Sequence, residues 1–577
     1  MTLKTNYIIG DIPHAEHPSP QFMRDSWVNL NGLWNLCKLS NNGETLYFGK
    51  ILVPFSPESL NSQVESGFTL SDTETLVYER EFDINKNLDQ KAILHFGAVD
   101  SECKVYINGV LVGGHIGGFT PFKFDITSHL KAGKNLVRVE VTDTARLYGG
   151  ARGKQSVKRG GIWYTPQSGI YQTVWLEVMP SDSIEDFKIT PSVDNGEVAF
   201  DFKSKTAVTI KIFDRDKEII SLTGKDSLTA KYDFELWSPE NPKLYDLIVT
   251  NESGDKVKSY FGMRSFGIVT DKKGKKRLAL NGKPYYFNGL LDQGYWSDGL
   301  LTYPSDKAAI DELQTIKDMG FNTIRKHIKL EPLRWYYHCD RIGLIVWQDF
   351  VNGGGDYSFI KVALAPQIGI AKHRDDDYKF FAREDQKGRE EYLSMTKEII
   401  ENLYNCVSIG VYVPFNEGWG QFDSKKVTEY VESLDPTRIV DSVSGWYDQG
   451  EENTRLKSMH IYFTPLKVPK DNRPVVLSEF GGYSLKVKDR VYDSKKSFGY
   501  KQYKTQEKFI SAIEKLFLKK LKPLIEKGLS GSIYTQVSDV EEEINGLVTY
   551  DRKEQKIPTE KMKEINDQLK SVWSKIE

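Results

Sequence analysis

No run of about 18 apolar residues occurs in the sequence, so no segment is expected to cross a bilayer as a helix. An excess of one charge is missing too. The chain carries 78 Lys and Arg against 80 Asp and Glu, a formal net charge of -2, which gives no electrostatic reason to expect nucleic acid as a partner. The opening residues, MTLKTNYIIGDIPHAEHPSP, hold no apolar segment of signal-peptide length. As it stands the chain is therefore expected to be cytoplasmic, or processed periplasmic or secreted. Cysteine is scarce: Cys37, Cys103, Cys339 and Cys406 lie far apart without CxxC spacing, which points to buried free thiols rather than disulfides or zinc ligands. No HExxH or His-rich spacing suggests a catalytic metal, no Ser sits in a GxSxG elbow, and neither GxGxxG nor a P-loop appears. Neither a metal nor an organic cofactor is expected.

What is present is length and aromatic character. The 577 residues suggest three or four domains, and 39% hydrophobic residues suffice for sizeable cores. Eleven Trp and 30 Tyr suit a protein that stacks rings against the flat faces of sugars, although rings of this kind also fill ordinary cores. Residues 1–180 read as all-β. Asn135 to Asp143, NLVRVEVTD, alternates Val with polar residues at the period of a half-buried strand. KVYING followed by VLVGG is a hairpin signal with an Asn-Gly turn. Short strands at this spacing predict a β jelly roll or sandwich, interrupted by a Gly- and Arg-rich loop from Tyr148 to Gly161 that could face a partner domain or be mobile. Residues 181–268 continue as β and suit a small immunoglobulin-like sandwich, with LWSPENPKLYDL as a turn bringing in a late strand.

Near Lys272 the pattern changes. KKGKK reads as a linker hairpin, and from 269 to 577 short apolar runs alternate with amphipathic helical stretches. Eight strands are expected, at 285–290, 322–325, 344–347, 407–413, 439–442, 459–462, 475–478 and 532–535. Eight strand–helix units over this length predict a (β/α)8 TIM barrel, in which active-site residues lie at the C-terminal strand ends.

Those ends offer Asp292, then Arg325 and His327, then Asp349, then Asn416 and Glu417 with Trp419, then Trp446, then His460 and Tyr462, then Glu479, and last Gln536. Glu417 on the fourth strand and Glu479 on the seventh can aim across the barrel mouth toward one another. Two carboxyls about 5–5.5 Å apart are the apparatus of a retaining glycosidase. Each component also has a plainer reading. Arg325 could neutralise barrel carboxylates, His327 could be a satisfied core histidine, and Trp419 and Trp446 could be packing. Lys326 is expected to point outward into the helices.

The sequence resembles glycoside hydrolase family 2, the family of β-galactosidases, β-glucuronidases and β-mannosidases. SWVNLNGLW, FGAVDSECKVYINGVLVGGHIGGFTPF and SGIYQTVWLE are similar to its N-terminal sugar-binding domain, FGMRSFGI to the exit of its immunoglobulin-like domain, and FNTIRKH, GLIVWQDF, NEGWG and LSEFGG to its barrel motifs. The resemblance implies Glu417 as acid/base, Glu479 as nucleophile, Asn416 holding the sugar 2-hydroxyl and Tyr462 bonding the nucleophile. It implies His327 and Trp446 lining the non-reducing sugar subsite, and a long loop after Asp349 over the mouth. Gln172 and Thr173 stand where the β-galactosidase motif has Arg-Asp, and Glu543-Ile544-Asn545 stands where β-glucuronidases have Asn-x-Lys. The expected function is a retaining exo-β-glycosidase, most like a β-galactosidase, with β-glucuronidase, β-mannosidase and a non-catalytic carbohydrate-binding protein as alternatives. A carbohydrate is the expected partner, and assembly into a homo-oligomer is left open.

Overall fold

In the N-terminal domain, Val137, Val139 and Val141 are fully buried while Arg138 and Glu140 between them stay half-exposed, the alternation that makes Gly133–Thr142 a one-sided strand. A computed structural model of the chain describes residues 3–84, 90–358, 360–367 and 371–576. In it this strand is central to a six-stranded antiparallel sheet, which packs on a four-stranded one. The hairpin Glu102–Ile107/Val110–Ile116 turns at Asn108 and Gly109, both at positive φ (52° and 84°), as a two-residue type I′ connection requires.

The next domain has seven strands in sheets of three and four, from Asp186–Ser192 to Lys256–Phe261, in the manner of an immunoglobulin-like sandwich. Buried polar contacts bind the layers together. Arg24 joins Asp255 (2.9 Å) to Glu177 (3.3 Å), and Trp237 and Tyr260 both donate to Asp340 of the barrel, at 2.7 and 2.8 Å. The basic run lies in the turn between strands Phe266–Thr270 and Lys276–Leu280, as expected of a linker hairpin.

All eight barrel strands are present and parallel: Phe287–Asp292, Thr323–Lys326, Ile345–Asp349, Ile409–Val413, Ile439–Val440, Lys457–Ile461, Val475–Gly481 and Leu529–Thr535. Numbered in chain order, they pair as 5-4-3-2-1-8-7-6, and no ladder joins the fifth to the sixth among the described residues. Side chains alternate. Phe287, Leu291, Trp347, Val411, Val413 and Ile533 fill the interior, whereas Leu290, Ile324, Val346, Tyr412 and Leu477 pack against the helices outside.

Helices follow the first four strands and the seventh and eighth. Asp306–Asp318 is typical, capped by Ser305 accepting from Ala308 N and stopped at Gly320 (φ 84°). The expectation of eight strand–helix units is corrected at two places. The described residues hold no helix after the fifth or sixth strand, and Pro465, Pro469 and Pro474 in the latter connection forbid one. The helix after the seventh strand widens to π geometry over Lys515–Leu521, just before Pro523, whose missing N–H opens the ladder. Cys103, Cys339 and Cys406 are buried free thiols, while Cys37, also free, is only half-buried.

Candidate active site

The fourth strand ends at Val413, and Glu417 sits just beyond at φ 53°, a left-handed conformation that a residue with a Cβ rarely holds. Its N–H donates to Ser444 O at 3.0 Å, tying the strained turn to the end of the fifth strand. Gly418 (φ 75°) completes the bend, and a Cβ there would meet the Tyr447 ring at 2.6 Å. The turn thus presents the Glu417 carboxyl to the barrel interior, where Glu479 arrives on the seventh strand. One oxygen of each glutamate and a ring nitrogen of His460 all lie within 4.8 Å of one another.

The two carboxyls have different surroundings. Among the described residues the Glu417 carboxyl bonds only to His460 Nδ1, at 2.7 Å, and burial pushes its pKa up to about 7 against the pull of Lys154 and Arg325. Glu479 receives the Arg325 guanidinium at 3.3 Å on one oxygen and the Tyr462 hydroxyl on the other. Burial lowers the His460 pKa to about 4, so the ring is neutral and carries one proton. Its Nε2 lies 3.0 Å from Ser444 Oγ and 3.5 Å from Glu479 Oε1. A proton on Nε2 faces the Glu479 carboxyl and leaves Nδ1 to accept from a protonated Glu417.

Arg325 is the hub beneath the pair. It grips Asp349 through Nε (2.9 Å) and Nη2 (3.0 Å), Ser478 O at 3.0 Å, Glu479, and Asn416 Oδ1 at 2.8 Å. The Asp349 carboxylate also holds His327 Nδ1, at 2.7 Å. Trp446 meets the His460 ring edge-on at 5.9 Å and is half-buried at the rim. Gln536 donates to Asn545 Oδ1 at 2.8 Å, and its own Oε1 is buried without a partner. Asn416, Glu417, Glu479, Tyr462, Arg325, Asp349, His327, His460 and Trp446 are thus brought together.

Asp292 is not. It follows Leu291, which points inward, so strand alternation turns it outward onto Lys326, which also pairs with Glu331 at 2.8 Å and lies 4.2 Å over the Trp335 ring. Lys326 therefore points into helix packing, as expected, and takes Asp292 with it. Gln172 donates to Leu330 O at 3.3 Å, away from the glutamates. The loop after Asp349 contributes Tyr357, stacked 6.3 Å from Trp419, although residues 359 and 368–370 of that loop lie outside the described residues.

Sequence reasoning missed Lys154, Tyr164 and Tyr500, and noted Glu543 only as standing where β-glucuronidases have another motif. Tyr500 stacks on Tyr462 at 3.7 Å, nearly coplanar, and holds the ring whose hydroxyl reaches Glu479. Lys154 comes from the Gly- and Arg-rich loop of the N-terminal domain, where the broken strand pattern was the only signal. Glu417, His460 and Glu479 form the one group with metal-ligand spacing among the described residues. Arg325 and Tyr462 already donate to Glu479, however, and a protonated Glu417 offers no anionic ligand.

Comparison with known proteins matches this architecture along nearly its whole length. "Glycosyl hydrolases family 2, sugar binding domain" covers residues 59–180, "Glycosyl hydrolases family 2" covers 183–264, and "Glycosyl hydrolases family 2, TIM barrel domain" covers 272–573. The chain belongs to glycoside hydrolase family 2. Among curated relatives of this family-2 chain, a β-galactosidase of Thermoanaerobacter pseudethanolicus is 27% identical over 312 residues, 47% of this chain and 39% of that protein. A β-glucuronidase of Streptococcus agalactiae is 27% identical over 347 residues, 55% of this chain and 56% of that one. The matches thus span little more than half of these relatives at most. Among solved structures, a β-D-glucuronidase from Dictyoglomus thermophilum superposes with TM-score 0.73 at 18% identity, covering 97% of this chain and 99% of that one. A β-galacturonidase from Eisenbergiella tayi gives 0.69 at 17% identity, covering 97% and 98%. These structures share the family-2 fold.

Proposed function

We propose that this protein is a retaining exo-β-glycosidase acting by double displacement, with Glu479 as nucleophile and Glu417 as acid/base. The observation that carries the reading is the pair itself: two glutamates whose oxygens approach within 4.8 Å, one held by a cation and a phenol, the other buried toward neutrality. That separation leaves no room for a water between carboxylate and anomeric carbon, so it favours direct attack over inversion. In the first step Glu479 attacks the anomeric carbon while Glu417 gives its proton to the leaving oxygen. In the second, Glu417 takes a proton from water, which displaces Glu479 with the configuration retained. The unpartnered Asn416 Nδ2 is available to the 2-hydroxyl, where hydrogen bonds strengthen in the transition state.

The named relatives divide between galactosides and glucuronides, so both remain candidate glycones beside the mannoside. A panel of nitrophenyl β-galactoside, β-glucuronide, β-mannoside, β-glucosaminide and α-arabinoside tests activity. Glu417→Gln and Glu479→Gln should each lower kcat by at least about 10³-fold, and azide added to Glu479→Ala should release the glycosyl azide of opposite anomeric configuration. Full turnover in either glutamine variant would refute the assignment.

A further inference from the structure

Four lysines are buried among the described residues, and three are saturated with partners. Lys326 holds Asp292 and Glu331, Lys329 holds Glu331 (2.7 Å) and Gly294 O (2.8 Å), and Lys556 holds Asp539 (2.6 Å) and Ile544 O (2.9 Å). Lys154 is only 5% exposed, yet its ammonium makes no hydrogen bond or ion pair among the described residues. It lies 4.5 Å over the Trp419 ring, two residues beyond Glu417, and 6.0 Å from the Tyr164 ring. Backbone bonds hold it there. Gly153 N donates to Asn352 O at 3.1 Å, Tyr164 N to Lys154 O at 3.0 Å, and the Gln155 side chain to Asp100 at 2.8 Å. Gly153 (φ 63°) lets the loop press on the barrel, since a Cβ there would stand 3.0 Å from Ile328 O.

Tyr164 also reaches Glu543. The Tyr164 hydroxyl donates to one of its oxygens and Asn545 Nδ2 to the other, at 2.9 Å, which leaves lone pairs on a buried carboxylate. Lys154 and Glu543 are each the leading charge acting on the other, and Glu417 acts on both, but they do not close to an ion pair. An ammonium can only donate and a carboxylate can only accept. A sugar hydroxyl does both and so matches the two groups together, whereas a sugar carboxylate would satisfy Lys154 and add a second acidic group beside Glu543. The charge balance points the same way. Burial already holds the Asp349 and Glu543 carboxyls above their ordinary pKa, so a further anion is disfavoured there, and Arg325 is fully engaged and cannot offset it.

We infer that Lys154, supplied by the N-terminal domain, and Glu543, supplied after the eighth barrel strand, together bracket a hydroxyl of the glycone and select a neutral sugar over a uronate. This rests on the glycosidase reading above. The wild-type protein tests it first. kcat/KM for at least one neutral nitrophenyl β-glycoside (galactoside, mannoside or glucoside) should exceed those for the β-glucuronide and β-galacturonide by 100-fold or more. Lys154→Met should lower kcat/KM on the favoured glycoside at least 100-fold. Glu543→Gln should narrow the neutral-to-uronide ratio at least tenfold by removing the repulsion. On a matched set of monodeoxy glycosides, the one lacking the bracketed hydroxyl should lose far less to Lys154→Met than its parent does. Uronide turnover equal to or above the best neutral glycoside overturns the inference without any variant, as do folded variants with unchanged ratios. If no glycoside in the panel is cleaved, it is the glycosidase reading that fails.

Discussion

Asn416 accepts from Arg325 Nη2 through Oδ1 at 2.8 Å, and this bond fixes the face its amide turns to the barrel mouth. Nδ2 is left buried and without a partner. An unmet buried donor costs about 1–3 kcal/mol, a cost that a bound ligand hydroxyl would remove. The residue next to Glu417 is therefore held ready to donate by the same guanidinium that pairs with Glu479.

Asn416→Ala should lower kcat/KM by roughly 10²-fold or more on an intact glycoside, because the lost bond strengthens as the reaction proceeds. On the matching 2-deoxy glycoside the same substitution should cost less than about tenfold, since the hydroxyl it serves is absent. Steady-state kinetics on the two substrates check this. Equal losses on both would place Asn416 in support of Arg325 alone.

Glu417 predicts a pH profile with a defined sign. In the proposed role of acid it must be protonated, so kcat/KM should fall as pH rises through about 7, and Glu417→Gln should abolish that limb. Stability follows the same group. Its folded pKa is raised from 4.5 to about 7, so the protonated form favours the fold fully below about pH 4.5, and that contribution is lost as pH rises to about 7. The raised value corresponds to roughly 3 kcal/mol at most. Glu417→Gln should therefore raise Tm at pH 8 and have little effect at pH 4.5, which calorimetry at the two values can read.

The two glutamates were legible because each ends a strand buried on both faces, and such strands announce themselves as unbroken apolar runs. Which way a strand-end side chain turns was less legible. Arg325 and Lys326 are adjacent cations, and only their register, with Ile324 outside, sends one into the barrel and the other into the helices with Asp292. The missing helix after the sixth strand had a signal in the three prolines, which the counting of units overrode, whereas the connection after the fifth holds no proline. For Lys154 the broken strand pattern was the only signal, and Glu543 stood out only as part of a motif position, with nothing to join the two. They are 389 positions apart in separate domains, and nothing periodic in the chain connects them.

Arg325 offers the sharpest separation of structure from chemistry. It is fully buried, and two carboxylates, a backbone carbonyl and an amide oxygen surround it. Arg325→Met should leave Asp349 and Glu479 as uncompensated buried charges and lower stability by about 3–5 kcal/mol. Adding Asp349→Asn should recover part of that loss, because one of the two stranded charges disappears. Activity should not recover with it, since Glu479 would still lack its guanidinium partner and Asn416 would lose its anchor. Urea denaturation of the single and double variants, run beside kcat on the best substrate, separates the two effects. Recovery of activity together with stability in the double variant would reduce Arg325 to a structural cation.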